Sequence, residues 1–335
     1  MNGIKKCLGK ILILKPNILK QVRIFADFKF FQYISFTTMS NTKTYTPSVS
    51  LIIWVSFFVL TVSWGSSFIL VKRGLQAYSS WQVASIRLSA AFMALGGLAF
   101  FHIKQIPKEK LKYIIISGLL GMFIPSYMFS LAQMGISSSV AGVLNALTPA
   151  FAFIVGIIFF KQPSKLMQIV GLSIGFIGSA LLILVNSKGE FSLNAYAFCI
   201  VFATACYGLN VNIVKKYLTG VNPLHITTVS VATAGLLGLA HLLTTNWLEI
   251  ARNAPKGKES LLAAVVLGLI GTAFSQLVFN KMLRYSTAVF ATSITYFIPI
   301  VALMWGVWDG ETMSFWQYIG MAGIIAGVLI LNRFK

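Results

Sequence analysis

Residues 140–160 read VAGVLNALTPAFAFIVGIIFF and carry no charge. That is the length an α-helix needs to cross the hydrocarbon of a bilayer. Near its middle stand Asn145, Thr148 and Pro149, groups that must find partners in neighbouring helices or face a wet cavity. The stretch then recurs as AVFATSITYFIPIVALMWGVW at 288–308; an offset of 150 sets Ala141 on Ala291, Asn145 on Thr295, Pro149 on Pro299 and Gly156 on Gly306. A polar, proline-bearing span used twice points to a chain made of two copies of one membrane unit.

The composition agrees. Of the 335 residues, 57% are hydrophobic and 10% charged, whereas a soluble domain carries about a quarter charged residues. Mean hydropathy is +0.82. Ten apolar runs follow Pro47, at about 51–71, 81–101, 113–132, 139–160, 166–185, 195–214, 224–243, 261–280, 287–308 and 315–332. The tightest junction, between the third and fourth, is QMGISS, a turn-like stretch of Gly and Ser. The fold class expected is an all-α polytopic membrane protein with ten transmembrane helices.

A net charge of +20 would suggest nucleic acid if it formed a patch. Here it lies between the apolar runs. With the N-terminus inside, 20 Lys and Arg fall on the cytoplasmic side, 6 fall outside, and Arg87 lies within a span. The excess obeys the positive-inside rule and places both termini in the cytoplasm. Basicity is topological, and no nucleic-acid partner is expected.

Residues 1–38 differ from the rest, being rich in Asn, Ile, Lys, Phe and Tyr without a helical face. They read as translated upstream sequence with the working start at Met39, or as a basic leader. In either case 1–46 is an extension outside the fold, and the units expected are 47–190 and 191–335.

The duplication extends beyond the opening pair. Trp64-Gly65 matches Tyr207-Gly208, and Lys72-Arg73 matches Lys215-Lys216, both at an offset of 143. Gly118 and Gly121 match Gly268 and Gly271 at 150, and the Gln168–Gly171 stretch matches Gln317–Gly320 at 149. Five spans per unit is an odd number, so the second copy enters from the opposite side. This is the inverted repeat found in many secondary transporters, with the substrate site between the halves near midplane.

Chemistry of other kinds finds little support. All seven acids (Asp27, Glu109, Glu190, Glu249, Glu259, Asp309, Glu311) fall in predicted tails or loops. No GxxxxGK[ST] phosphate loop, CxxC or HExxH is present, so no ATP-driven pump, metal or cofactor is expected. Cys7, Cys199 and Cys206 make no disulfide framework. A serine nucleophile would need a base, and none is expected at bilayer depth. Without a carboxylate in a span, transport would proceed by facilitated diffusion or exchange, or couple through His225 or His241.

Uncharged polar and aromatic side chains inside the spans remain. Asn145, Thr148, Asn210, Gln276 and Asn280 either bridge helices or share a hydrated cavity. Trp64 and Tyr207 sit too deep to be interface anchors. Ser67, Tyr127 and Tyr296 complete the candidates. Arg87 lies about 9 Å below the outer end of its span at 1.5 Å per residue. It either snorkels or anchors an anionic substrate. Pro149 and Pro299 free backbone carbonyls and permit bends, as packed kinks or as hinges. Gly171, Gly175, Gly178 and Gly320, Gly323, Gly327 allow close helix contact, within the bundle or across a homodimer.

Taken together, WGSSFILVKRGL (64–75), Arg87 in IRLSAAFMAL, the duplicated VAGVLNALTPAFAFIVGIIFF and the closing GIIAGVLIL resemble the EamA branch of the drug/metabolite transporter superfamily. The resemblance covers about 47–333 and implies a ten-helix carrier in the cytoplasmic membrane. Such a carrier would move small metabolites, for example amino acids or amphiphilic drugs, usually outward by alternating access. Its partners would be that solute and the lipid bilayer. Family members commonly have an acid after the fourth and ninth spans. Here Glu311 fills the second place, but Lys161 occupies the first, which puts a charge pairing at that corner in doubt. Competing readings are an organic-anion or nucleotide-sugar-type antiporter, which would need more basic groups than Arg87, and a membrane-embedded sensor or enzyme.

Overall fold

The computed structural model describes residues 47–161, 165–190, 193–285 and 293–333. The expectations for residues 1–38 and Met39 lie outside them, as do Cys7 and Ala291. The compact unit Val49–Lys335 contains everything discussed below.

Every regular element of the described residues is helical. Eight helices are long and apolar enough to span a membrane: α1 (Leu51–Gly74), α2 (Ser80–Gln105), α3 (Lys108–Ala132), α4 (Ser138–Phe160), α5 (Leu166–Leu184), α6 (Ala195–Tyr217), α7 (Pro223–Leu243) and α8 (Gly257–Met282). Two shorter apolar helices follow, α9 (Ile294–Trp308) and α10 (Phe315–Ile330). The expected ten spans of full length are thus eight plus two shorter segments, and α9 begins just after the undescribed residues 286–292. Large apolar side chains such as Phe58, Met93, Phe100, Phe159 and Trp308 are exposed at 69–82%. A face of that kind belongs in lipid, and the protein is membrane-embedded and multi-pass.

Small residues set the helix pairings, and the pairings come in two copies. A Cβ on Gly65 of α1 would stand 2.5 Å from Val301 Cβ of α9, and one on Gly208 of α6 would stand 2.7 Å from the Phe151 carbonyl carbon of α4. Gly118 of α3 meets the Ser230 carbonyl of α7, while Gly268 of α8 meets the Arg87 carbonyl of α2. The partners are repeat-related too, each pair at the other of the two offsets: Phe151 and Val301 are 150 apart, Arg87 and Ser230 143 apart. The glycine stripes of α5 and α10 close on each other within the chain: a Cβ on Gly178 would lie 2.5 Å from the Gly320 oxygen. Intramolecular packing occupies that stripe.

Two local departures from α-geometry also recur. The α3 and α8 spans each contain a π-helical segment, Leu119–Phe123 and Leu267–Phe274. The α4 span is broken by a 3-10 turn at Asn145–Leu147, and α9 begins with one at Ser293–Tyr296. Pro149 and Pro299 therefore do not kink a continuous helix. Each sits in the first turn of the α-segment that follows, Thr148–Phe160 or Ile298–Trp308, where its missing N–H costs no hydrogen bond.

Candidate functional site

Where the broken and widened helices meet, the structure encloses a cavity of about 180 Å³. From the first half it is lined by Trp64, Ser67, Phe68 and Val71 of α1, Arg87 of α2, Gly121, Met122, Ser126 and Phe129 of α3, Gln133 just beyond, and Asn145 and Thr148 of α4. The second half supplies Tyr207, Asn210 and Val211 of α6, Gly271, Thr272, Gln276 and Phe279 of α8, and Thr295 and Ile298 of α9.

The helical irregularities explain this lining. At the 3-10 turn Asn145–Leu147 the Asn145 carbonyl accepts from both the backbone N–H of Thr148 and, at 2.8 Å, its Oγ1, in place of the N–H that Pro149 lacks. In the π-segments the glycines admit polar side chains from the facing helix. A Cβ on Gly121 would lie 2.5 Å from Asn210 Nδ2, and one on Gly271 2.7 Å from Ser67 Oγ. Those glycines are 150 apart and those polar partners 143 apart, so the arrangement is one motif built twice.

Rings form the walls. Trp64 and Phe279 have centroids 5.3 Å apart, and Phe129 stacks near Tyr207 at 6.1 Å. Arg87 donates through Nε to Thr272 Oγ1 at 2.7 Å. The ion pairs among the described residues join Lys72 and Arg73 to Asp309 and Glu311, so Arg87 is the one ionised side chain on the cavity surface and has no carboxylate opposite it.

Trp64, Ser67, Arg87, Asn145, Thr148, Tyr207, Asn210 and Gln276 thus come together. Three candidates do not join them. Asn280 donates to Thr227 Oγ1 on α7, which makes it a bridge between helices. Tyr296 is packed into the core beside the cavity. Tyr127 is 5% exposed and hydrogen-bonds Ser85 Oγ at 2.7 Å. Ser85 also pairs with His241 Nδ1 at 2.8 Å, close to the start of α2 and in the last turn of α7. That serine is fully buried, no acid supports the histidine among the described residues, and the group packs α2 against α3 and α7. Among the described residues no cluster of His, Cys, Asp and Glu could hold a metal.

Sequence reading missed Gln133, Ser126, Thr272 and the phenylalanines. Gln133 is the most telling. Its side chain is 8% exposed, and neither amide atom has a hydrogen-bond partner. Asn210 Oδ1 is also unpaired. Buried polar atoms are normally paired, so three orphan atoms on one cavity wall mark a place where something else supplies the partner.

A second polar cluster lies at the end of the bundle where α1 and α9 finish and α4 begins. Glu311 accepts hydrogen bonds from the backbone N–H and hydroxyl of Ser138 and Ser139 at 2.6–3.0 Å, and from Lys72 Nζ at 2.8 Å. Lys72 also meets Asp309 at 2.6 Å, and Arg73 pairs with Asp309. At the second-half corner the acid, Glu311, is thus paired with Lys72.

A model of the EamA-like transporter family matches this chain twice, over residues 49–184 and 194–333. An uncharacterized transporter of Archaeoglobus fulgidus is 25% identical, covering 84% of this chain and 98% of its own length. A probable terminal-alkyne amino-acid exporter of Streptantibioticus cattleyicolor is 25% identical over 85% of this chain and 94% of its own. An S-adenosylmethionine/S-adenosylhomocysteine transporter of Chlamydia muridarum is 24% identical over 78% and 83%. Among solved structures, one crystal structure shares the fold with a TM-score of 0.55 at 16% identity, covering 87% of this chain and 98% of that one.

Proposed function

The chain belongs to the EamA-like transporter family, and from that premise we propose that it is a secondary transporter exporting small metabolites, amino acids or amphiphilic drugs among them, by alternating access. The working unit is ten transmembrane helices in two inverted five-helix repeats, 47–190 and 191–335. Both termini face the cytoplasm, as the distribution of Lys and Arg favours. In that orientation Glu311, Lys72 and the start of α4 lie on the outer side.

One observation carries the reading: repeat-related residues from the two halves line a single cavity. Trp64 faces it with Tyr207, Asn145 with Thr295, and Gly121 with Gly271. A site shared between inverted halves can be offered to each side in turn by rocking one half on the other. The close glycine contacts support such rigid units, and the transporter names of the relatives support the activity.

The test is a comparison of extracellular metabolites in cells expressing the chain from Met39, intact or as Asn145→Ala or Tyr207→Ala. A compound class that accumulates outside only with the intact protein supports export through this cavity. Equal profiles with inserted, folded protein would reject it.

A further inference from the structure

Arg87 places a permanent positive charge on a cavity that contains no acidic side chain among the described residues. Among the described residues only its Nε has a partner, Thr272 Oγ1 at 2.7 Å. The remaining N–H donors of the guanidinium are left for whatever occupies the cavity. A partly buried cation without a counter-ion is costly, and a fork of N–H groups matches the two oxygens of a carboxylate. The orphan amide of Gln133 and the orphan Oδ1 of Asn210 offer further hydrogen bonds on the same cavity surface. Trp64, Phe68, Phe129, Tyr207 and Phe279 add ring surface to a wall otherwise made of aliphatic and uncharged polar residues.

We propose that the solute is a carboxylate carried on an apolar body, either a monoanion or a zwitterion. Arg87 binds its carboxylate, and Gln133 reads its polar substituent. The inference rests on the cavity being the substrate site, and it narrows the solutes of the preceding section: organic cations are refused, because Arg87 repels them and no acid receives them. A zwitterion's ammonium meets the Asn210 and Gln133 oxygens and the ring faces, which attract cations.

The test uses the full chain purified in detergent and measures binding as a rise in unfolding temperature. The probes are matched sets of acid, amine and amino acid on the same body: phenylacetate, phenethylamine and phenylalanine, with the corresponding aliphatic set built on the leucine side chain. Carboxylate members of at least one set should stabilise the protein and the amines should not. Arg87→Gln should weaken carboxylate binding on the order of 100-fold, as expected for a lost charge-assisted contact. Gln133→Leu should weaken phenylalanine more than phenylacetate. If Arg87→Gln does not fold, Thr272→Val, which frees Nε and keeps the charge, should still weaken binding. Stabilisation by amines over acids, carboxylate binding that survives Arg87→Gln or Thr272→Val, or no response to any carboxylate would overturn the proposal. Because binding is read without transport, carboxylate binding with no export would fault the transport reading alone. Export that carboxylates do not inhibit would fault this inference alone.

Discussion

The carboxylate of Glu311 caps the first turn of α4 through Ser139, accepting from its backbone N–H at 3.0 Å and its hydroxyl at 2.6 Å. A residue beyond the end of α9 thereby holds the start of a helix 172 positions earlier. Burial alone would push this carboxyl up. The hydrogen bonds from Lys72, Ser139 and Ser138 outweigh it and hold the pKa down at about 2, in the sense expected for a carboxylate among donors at a helix N-terminus.

Acid should therefore weaken this contact in a defined window. The folded pKa lies below the ordinary value of 4.5, so the contribution is complete above about 4.5 and is lost as pH falls towards 2. A shift of that size corresponds to a few kcal/mol. Glu311→Gln should lower the unfolding temperature at pH 7, and its gap from the wild type should close as pH falls through that window. A gap that stays constant with pH would show that the charge of Glu311 contributes nothing to stability.

Gly306→Ala should also weaken this contact, with Glu311 itself left unmutated. Its new Cβ would stand 2.5 Å from Glu311 Oε2 and overlap the Ser139 hydroxyl, so the cap must open. The loss should be about 1–3 kcal/mol. Combined with Glu311→Gln it should fall well short of additive, because both changes break one contact. A double-mutant cycle on thermal stability checks this, and full additivity would count against it.

On α5, two glycines one turn apart should behave oppositely. A Cβ on Gly178 would lie 2.5 Å from the Gly320 oxygen and 2.7 Å from the Ile324 nitrogen, whereas one on Gly175 meets nothing within 4 Å. Gly178→Ala should destabilise by about 1–3 kcal/mol. Gly175→Ala should be neutral or mildly stabilising, since alanine favours the helix by up to about 1 kcal/mol. Unfolding temperatures of the two variants decide the matter.

Gly121→Ala should impair export while leaving the fold intact. Its Cβ would displace the Asn210 amide from 2.5 Å, and that side chain can yield into the cavity. Expected are near-normal thermal stability and an export rate reduced several-fold. Unchanged export would mean that the Asn210 position does not matter to the solute.

Much of this architecture is legible in the sequence because the duplication is. Gly65 and Gly208 stand 143 apart and their contacts Val301 and Phe151 stand 150 apart, while Gly121 and Gly271 stand 150 apart and their contacts Asn210 and Ser67 stand 143 apart: a repeat preserves who touches whom. Uncharged polar residues in apolar spans also pointed towards the cavity. They could not distinguish Asn210, which faces it, from Asn280, which bridges to Thr227, because both are amides on helices and only rotation about the helix axis separates them. Gln133 was hidden differently. It opens a turn-like QMGISS, and turn composition suggests exposure, yet the chain buries it where α3 ends. The widened turns had no visible mark, because LLGMF is ordinary apolar sequence.

Those turns have a consequence of their own. A π-segment stores one residue more than the α-register requires, and each i→i+5 bond it gives up can be replaced by an i→i+4 bond. Such a slack turn can creep along its helix by one residue at a time, and each step swings the intervening side chains by about 100°. Gly121 and Met122 on α3, and Gly271 and Thr272 on α8, ride on these turns. The cavity wall would then be re-dealt without either end of a span shifting in the bilayer. Amide hydrogen exchange gives the measurement. Faster exchange at 119–123 and 267–274 than in the flanking turns is expected, and even protection along both helices would make the segments fixed bulges.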